Sequence, residues 1–383
     1  MNIPTFLRIL LLTLCCLSGA AHADLYRGTI GQAEVVVELP TSANRLSRYF
    51  YVSHRQPIEL APVTACAATL CYDEYPDSRN PQKASGYWQL RREGEAWRGE
   101  WRSPDGAREL AIVLEAYAFT PSDPLAAEFA RHDPFSAALL GDVVWLDRGT
   151  ETFMGKTLRR FAERESRLEH ALVEDGYADD ARLALNHMLR EEALGTLAAR
   201  RECLAGASHP AFENNVTLEW MDDALVSFTT RGYGDCGGAH PNTWTTGSTW
   251  YVPENRLLAL EDVLWVGDGP PQRFAATFDF DAGDQEALWA YQRTALAPWL
   301  HAIFLRLYPQ QMQAQPGEDV CDYSRADDFA NAFWWLDGKG VRIGISYPFV
   351  QAACREPGFT VLPFDVVRQH PGVIKGLKLP DGR

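Results

Sequence analysis

The first 23 residues constrain this chain more than any other feature, because they set the chemical surroundings in which the rest folds. Residues 1–8 carry one positive charge, Arg8; residues 9–17 are a short apolar run; Ala21-His22-Ala23 is a small-x-small cleavage signal. That is the pattern of a secretory signal peptide cut after Ala23. The apolar run is too short to anchor across a bilayer, and no later stretch supplies about 18 uninterrupted apolar residues. The mature chain is expected to be exported, soluble and periplasmic. A lipoprotein is the weaker reading, because Leu12-Thr13-Leu14, ahead of Cys15 and Cys16, lacks the small residue that precedes a lipidated cysteine.

Export gives the cysteines their meaning. Six remain after cleavage: Cys66, Cys71, Cys203, Cys236, Cys321 and Cys354. An even count in an oxidising compartment reads as disulfides, and six cysteines allow 15 pairings that sequence alone cannot separate. Chain order suggests Cys66–Cys71 as a local clip, then Cys203–Cys236 and Cys321–Cys354. A zinc site would want close cysteine pairs repeated, and only Cys66 and Cys71 are close, so no metal is expected. Without Arg8 the chain carries 35 basic and 51 acidic residues, a formal charge of −16. Such a surface does not neutralise phosphates, so nucleic acid is an unsuitable partner, whereas a cationic protein would be drawn in.

About 360 mature residues are long for one core and point to two domains. Residues 24–118 alternate apolar and polar positions in short runs at 34–39, 49–52, 58–60, 88–90, 97–101 and 110–114. Gly31, Pro40, Pro57, Gly94 and Pro104-Asp105-Gly106 punctuate them. That predicts a small antiparallel β-barrel or meander. Residues 119–155, with Pro121, Pro124 and Pro134, read as a linker. Residues 156–201 read as helical: Leu158, Phe161, Leu168, Ala171 and Leu172 keep a helical spacing, Gly176 interrupts, and Asp179 or Asp180 caps a second helix. The Arg- and Glu-rich faces of both read as solvated. Hairpins are expected around Asp222-Asp223, Pro253-Glu254-Asn255 and Asp337-Gly338, and a helix over 284–307 disturbed at Pro298. The expected class is α+β: the barrel or meander, then an antiparallel sheet packed with helices over 156–376 and a short tail at 377–383.

The run Gly234-Asp235-Cys236-Gly237-Gly238-Ala239-His240-Pro241-Asn242 carries a resemblance. It is followed by 249–252, 257–260 and Glu261-Asp262-Val263-Leu264, then 333–345, Tyr347-Pro348-Phe349, Gly358 and Val361-Leu362-Pro363-Phe364. Over roughly residues 160–370 this series resembles the domain of unknown function found in the extracytoplasmic part of RsiV-type anti-sigma factors and in some peptidoglycan deacetylases. The resemblance implies an envelope protein with a binding domain, since the RsiV type senses lysozyme. With no transmembrane segment and no deacetylase domain, neither the lysozyme specificity nor a catalytic residue carries over. Residues 25–118 separately resemble a small exported β-domain through Tyr26-Arg27-Gly28-Thr29-Ile30-Gly31, Tyr49-Phe50-Tyr51 and Gly99-Glu100-Trp101.

The sharpest candidate chemistry is the 235–242 loop. Its glycines allow positive φ and close approach to a ligand. Asp235 and His240 suit an acid and base pair or two metal ligands, and Cys236 with His240 suits a nucleophile and base. The structural alternative is a tight loop clamped by a disulfide at Cys236. The acidic pairs Asp222/Asp223, Asp279/Asp281, Glu261/Asp262 and Asp327/Asp328 read as caps and turns, since a glycosidase needs two carboxylates facing each other across the substrate. Trp334-Trp335 and Tyr347 offer either core or an aromatic floor for a sugar or peptide. The sequence therefore predicts a periplasmic, non-catalytic binding module of the cell envelope with no cofactor and no catalytic residue. The expected contacts are Asp235, Gly237, Gly238, His240, Asn242, Trp334 and Tyr347. The expected partner is a cationic protein such as lysozyme, or a peptidoglycan fragment. The alternative is a peptidoglycan hydrolase built on Asp235 and His240.

Overall fold

The computed structural model describes residues 25–39, 47–64, 66, 70–75, 83–205, 211–237, 240–274, 284–313, 321–347 and 349–381. The expected signal segment, residues 1–23, lies outside these residues. The chain divides into two compact units, Met1–Phe119 and Thr120–Arg383.

Alternation in the first unit produces a closed eight-stranded antiparallel barrel. Its strands are β1 (Leu25–Ile30), β2 (Ala33–Glu38), β3 (Ser47–Tyr51), β4 (Ile58–Pro62), β5 (Leu70–Tyr75), β6 (Gly86–Glu93), β7 (Ala96–Arg102) and β8 (Glu109–Ala116). Strand β1 returns to pair with β8, which removes both sheet edges. Gly28 makes this closure possible, because a Cβ there would stand 1.8 Å from the Val113 carbonyl oxygen. Inward positions such as Val35, Tyr49, Leu60, Trp88, Leu90 and Leu114 fill the interior. In their midst is a carboxylate, Glu74, 5% exposed. It accepts hydrogen bonds from Tyr49 Oη at 2.8 Å, Trp88 Nε1 at 2.9 Å, Trp101 Nε1 at 2.9 Å and Ser85 Oγ at 2.6 Å.

The second unit opens with helices α1 (Ala127–His132) and α2 (Pro134–Leu140), where a linker was expected; Asp133 caps α2 by accepting from the Ser136 amide at 3.0 Å. A three-stranded sheet follows, β9 (Trp145–Phe153), β10 (Lys156–Glu163) and β11 (Glu169–Asp175), in the order β11-β10-β9. The helix expected over 156–175 is thus a pair of strands. Two positive-φ turns, at Met154-Gly155 and at Arg167, force the reversals. Both faces of β10 carry apolar side chains, so Leu158 and Phe161 mimic a helical repeat. The second expected helix forms as α3 (Asp179–Ala205), with Asp179 and Asp180 in its first turn, where the helix dipole favours them.

A second sheet holds β12 (Ala211–Met221), β13 (Leu225–Asp235), β14 (Asn242–Tyr251) and β15 (Arg256–Leu257), in that order. The β12–β13 hairpin turns where Asp222 Oδ1 accepts the amides of Ala224 and Leu225, each at 2.8 Å. Next come α4 (Leu260–Val263), α5 (Asp284–Tyr291) and α6 (Ala297–Leu307). Between α5 and α6, residues Gln292–Leu296 form a π-type turn. Pro298, which lacks an amide to donate, sits in the first turn of α6, so the disturbance expected at that proline takes the form of this wider turn. The chain ends with β16 (Phe333–Leu336), β17 (Gly340–Gly344), β18 (Val361–Pro363) and α7 (Phe364–Arg368). The architecture is the expected α+β class. Among the described residues three disulfides form, Cys66–Cys71, Cys203–Cys236 and Cys321–Cys354. Among the described residues no helix is long and apolar enough to cross a membrane.

Candidate functional site

Helix α3 packs on two of the second unit's three sheets, at β11 and β12, and Leu158, Val173, Leu185, Met221 and Val226 form the buried core between them. Beside that core the packing opens into a groove of about 410 Å³, within the range of small-ligand sites. Its walls are α3, β11 and β12, and Leu189, Leu218, Met221 and Phe228 give it an apolar floor. Two braces hold the walls. Asn186 of α3 binds β11 twice: Oδ1 accepts from the Val173 amide at 2.7 Å, and Nδ2 donates to the Val173 carbonyl at 2.9 Å. The second brace starts at β14. Gly232 lacks a Cβ, which would stand 2.0 Å from Trp244 Cε2. The indole therefore lies across β13, and Nε1 donates to Asn214 Oδ1 at 3.1 Å. Asn214 Nδ2 in turn lies 3.5 Å from Thr196 Oγ1 on α3.

Glu192, Thr196 and Arg200 line the groove at i, i+4 and i+8 of α3, a spacing that stacks them on one face. Among the described residues neither Glu192 nor Arg200 forms an ion pair, whereas the neighbouring Arg201 faces Glu165 at 3.8 Å. Glu192 is open to water within a concavity. Dehydration by the surrounding walls, and then the charge of Glu191, raise its carboxyl above the ordinary carboxylate range.

One wall of the groove is backed by a buried polar cluster. His170 (6% exposed) lines the groove and faces Arg190 (5% exposed), with Nε2 2.9 Å from Arg190 Nη1. The guanidinium can only donate, so Nε2 is the acceptor and the ring is neutral with its proton on Nδ1. Burial, and then the Arg190 charge, push the imidazole down to about 3. Trp145 and Phe161 sandwich the pair: His170 stacks on Phe161 at 5.4 Å, and Arg190 lies 4.9 Å from the Trp145 ring. Asp123 Oδ2 stands 3.2 Å from Arg190 Nε and supplies the counter-charge.

The residues expected from sequence fall into two groups. Asp235 ends β13, and its Oδ1 accepts the Gly237 amide at 3.2 Å in a turn where Gly237 has φ +80°. Asn242 begins β14 opposite Gly234. His240 is exposed, with Nδ1 2.8 Å from the Pro241 carbonyl oxygen. Gly238 lies outside the described residues. Cys236 is bonded to Cys203, one turn beyond Arg200 on α3, so the disulfide ties this loop to one end of the groove. Trp334 and Tyr347 belong instead to the large core around α6 and β16–β18. Tyr347 Oη donates to the Asp322 carbonyl at 2.6 Å and approaches Asp328 Oδ2 at 3.2 Å. Tyr347 is tied to β14 through Arg355, which donates to the carbonyl oxygens of Tyr347 at 2.8 Å and of Thr243.

Where they are described the acidic pairs serve the structure: Asp222 caps its own turn, and Asp223 pairs with Lys156 of β10. Asp262, 1% exposed, holds Arg256 at 2.7 Å and Arg273 at 2.7 Å; Asp328 pairs with Arg325 at 2.6 Å. Asp279 and Asp281 lie outside the described residues. Sequence reasoning missed the groove. Its charged stripe was in view on the second helix, but a solvated face has the same composition.

No protein-family model matches the chain, and no curated protein matches it. Solved structures similar to it include a DUF3298 family member from Bacteroides fragilis, at 14% identity and TM-score 0.33, covering 60% of this chain and 92% of that one. Another is a DUF3298 family protein from Pseudomonas aeruginosa, at 14% identity and TM-score 0.29, covering 61% of this chain and 94% of that one.

Proposed function

We propose that this chain is an exported recognition protein of the cell envelope, which binds its ligand in the groove beside α3 without chemical conversion. The carrying observation is that groove: an apolar floor of defined volume, with a carboxylate and a guanidinium in its wall that no residue described neutralises. The signal pattern and the three disulfides support an oxidising, extracytoplasmic setting. The resemblance of the second unit to the RsiV-type sensor domain supports a protein such as lysozyme, or a peptidoglycan fragment, as the ligand. The hydrolase alternative is the less favoured, because Asp235 is engaged in its own turn and Cys236 is in a disulfide.

The test is binding of the protein beginning at Asp24 to a c-type lysozyme, and separately to soluble peptidoglycan fragments, at near-physiological salt. Charge attraction alone gives weak binding that salt removes. The proposal expects saturable, salt-resistant binding to one of the two, lost when Val216→Trp fills the groove from its exposed rim. Absence of binding to both, or equal binding by Val216→Trp, overturns it. Hydrolysis of sacculi by the wild type, lost in Asp235→Ala and His240→Ala, replaces recognition with the hydrolase reading.

A further inference from the structure

Strand β11 is an edge strand whose outward backbone is only partly covered. Its neighbour on one side is β10; the other side faces α3 and the groove. Asn186 binds both the amide and the carbonyl of Val173, so these two groups point away from β10. One side-chain amide, with a donor and an acceptor side by side, stands there in place of a neighbouring strand. In an antiparallel ladder the outward pairs recur at every second residue. The register Arg160↔Ala171 and Leu158↔Val173 is regular over this stretch, so Ala171 and then Glu169 present the next outward pairs. Both residues line the groove. The opposite wall is β12, itself the edge of the second sheet.

We infer that the groove takes a short extended peptide, which adds as a strand to the free edge of β11 at Ala171 and Glu169. Its amino group lies towards Glu192 and its carboxylate towards Arg200. This rests on the groove being the binding site. The dimensions agree: eight helical residues from Glu192 to Arg200 span about 12 Å along the axis, and four extended residues at about 3.3 Å each cover that length. Among the charged side chains of the walls, Glu192 and Arg200 on the one helix face are of opposite sign, as the two ends of a peptide require. Alternation of side chains in the added strand turns every second one onto the floor made by Leu189, Leu218 and Met221.

The experiment is equilibrium dialysis of the intact mature protein against a pool of tetrapeptides built from Ala, Val and Leu with free ends. Retained species are read by mass spectrometry, with peptide-free glycan strands dialysed in parallel. The expected result is retention of the pool. Retention weakens at least about tenfold in Glu192→Gln, in Arg200→Gln, and for a pool with acetylated amino ends. It is abolished when the central amides are N-methylated, because strand addition needs those donors. Equal retention of the N-methylated pool overturns strand addition. Retention of glycan strands but not of peptides, with Val216→Trp blocking it, leaves the groove as the site and overturns the peptide. If Val216→Trp changes no retention, or nothing is retained, the groove and the peptide fall together.

Discussion

Acidification should test the buried pair beside the groove. His170 sits neutral against Arg190, and charging it would place two cations 2.9 Å apart in a site closed by Trp145 and Phe161. In the unfolded chain the imidazole takes up a proton near pH 6.5; in the folded protein it does so only near 3. Between those values the unfolded state holds more protons, so stability falls as pH falls. From pH 7 to pH 4 the loss covers about two and a half pH units at about 1.4 kcal/mol each, or roughly 3 kcal/mol. The assay is urea unfolding followed by tryptophan fluorescence at both pH values, for wild type and His170→Gln. Glutamine keeps an acceptor for Arg190 and removes the titration, so the carboxylates that protonate over this range contribute equally to both proteins. The wild type should lose about 3 kcal/mol more than the variant. Parallel losses, or an imidazole seen by NMR to titrate above pH 5, would refute the reasoning.

Two further substitutions probe the frame. Glu74→Leu leaves the buried Tyr49 and Trp88 and the half-buried Trp101 as donors without their acceptor. At about 1–3 kcal/mol for each orphaned group, barrel stability should drop by several kcal/mol, measurable as a lowered thermal midpoint. Gly232→Ala drives a methyl group into the Trp244 ring; it should cost about 1–3 kcal/mol and weaken any groove ligand, whereas Gly358→Ala, which meets nothing within 4 Å, should leave binding unchanged.

The contrast between what the sequence disclosed and what it hid follows from where each signal resides. The barrel was legible because one face of each strand is buried and the other wet, which writes alternation into the residues. It was not fully so: β1, with Gly28 at its centre, and β5, with two acidic residues among its six, break that alternation. The hairpin turns were legible because Asp222 and Asp337 bind the backbone of their own loops, a local interaction. The disulfide pairs follow chain order, so the simplest assignment coincides with the structure. The 156–175 segment misled because β10 carries apolar residues at both parities, and the helical period was then read from their chance spacing. The groove could not be read at all, since it is made by pairing distant residues: Asn186 with Val173, Trp244 with Asn214, Asn214 with Thr196. None of these is unusual in its own neighbourhood. Even Gly232, the residue that lets Trp244 reach β12, reads alone as one more glycine beside a glycine-rich loop. The 235–242 run stood out because glycines and a cysteine are locally conspicuous. Its disulfide to Cys203 fastens that conspicuous loop to the last turns of α3, so the sequence pointed to one end of a groove whose walls it had no means to assemble.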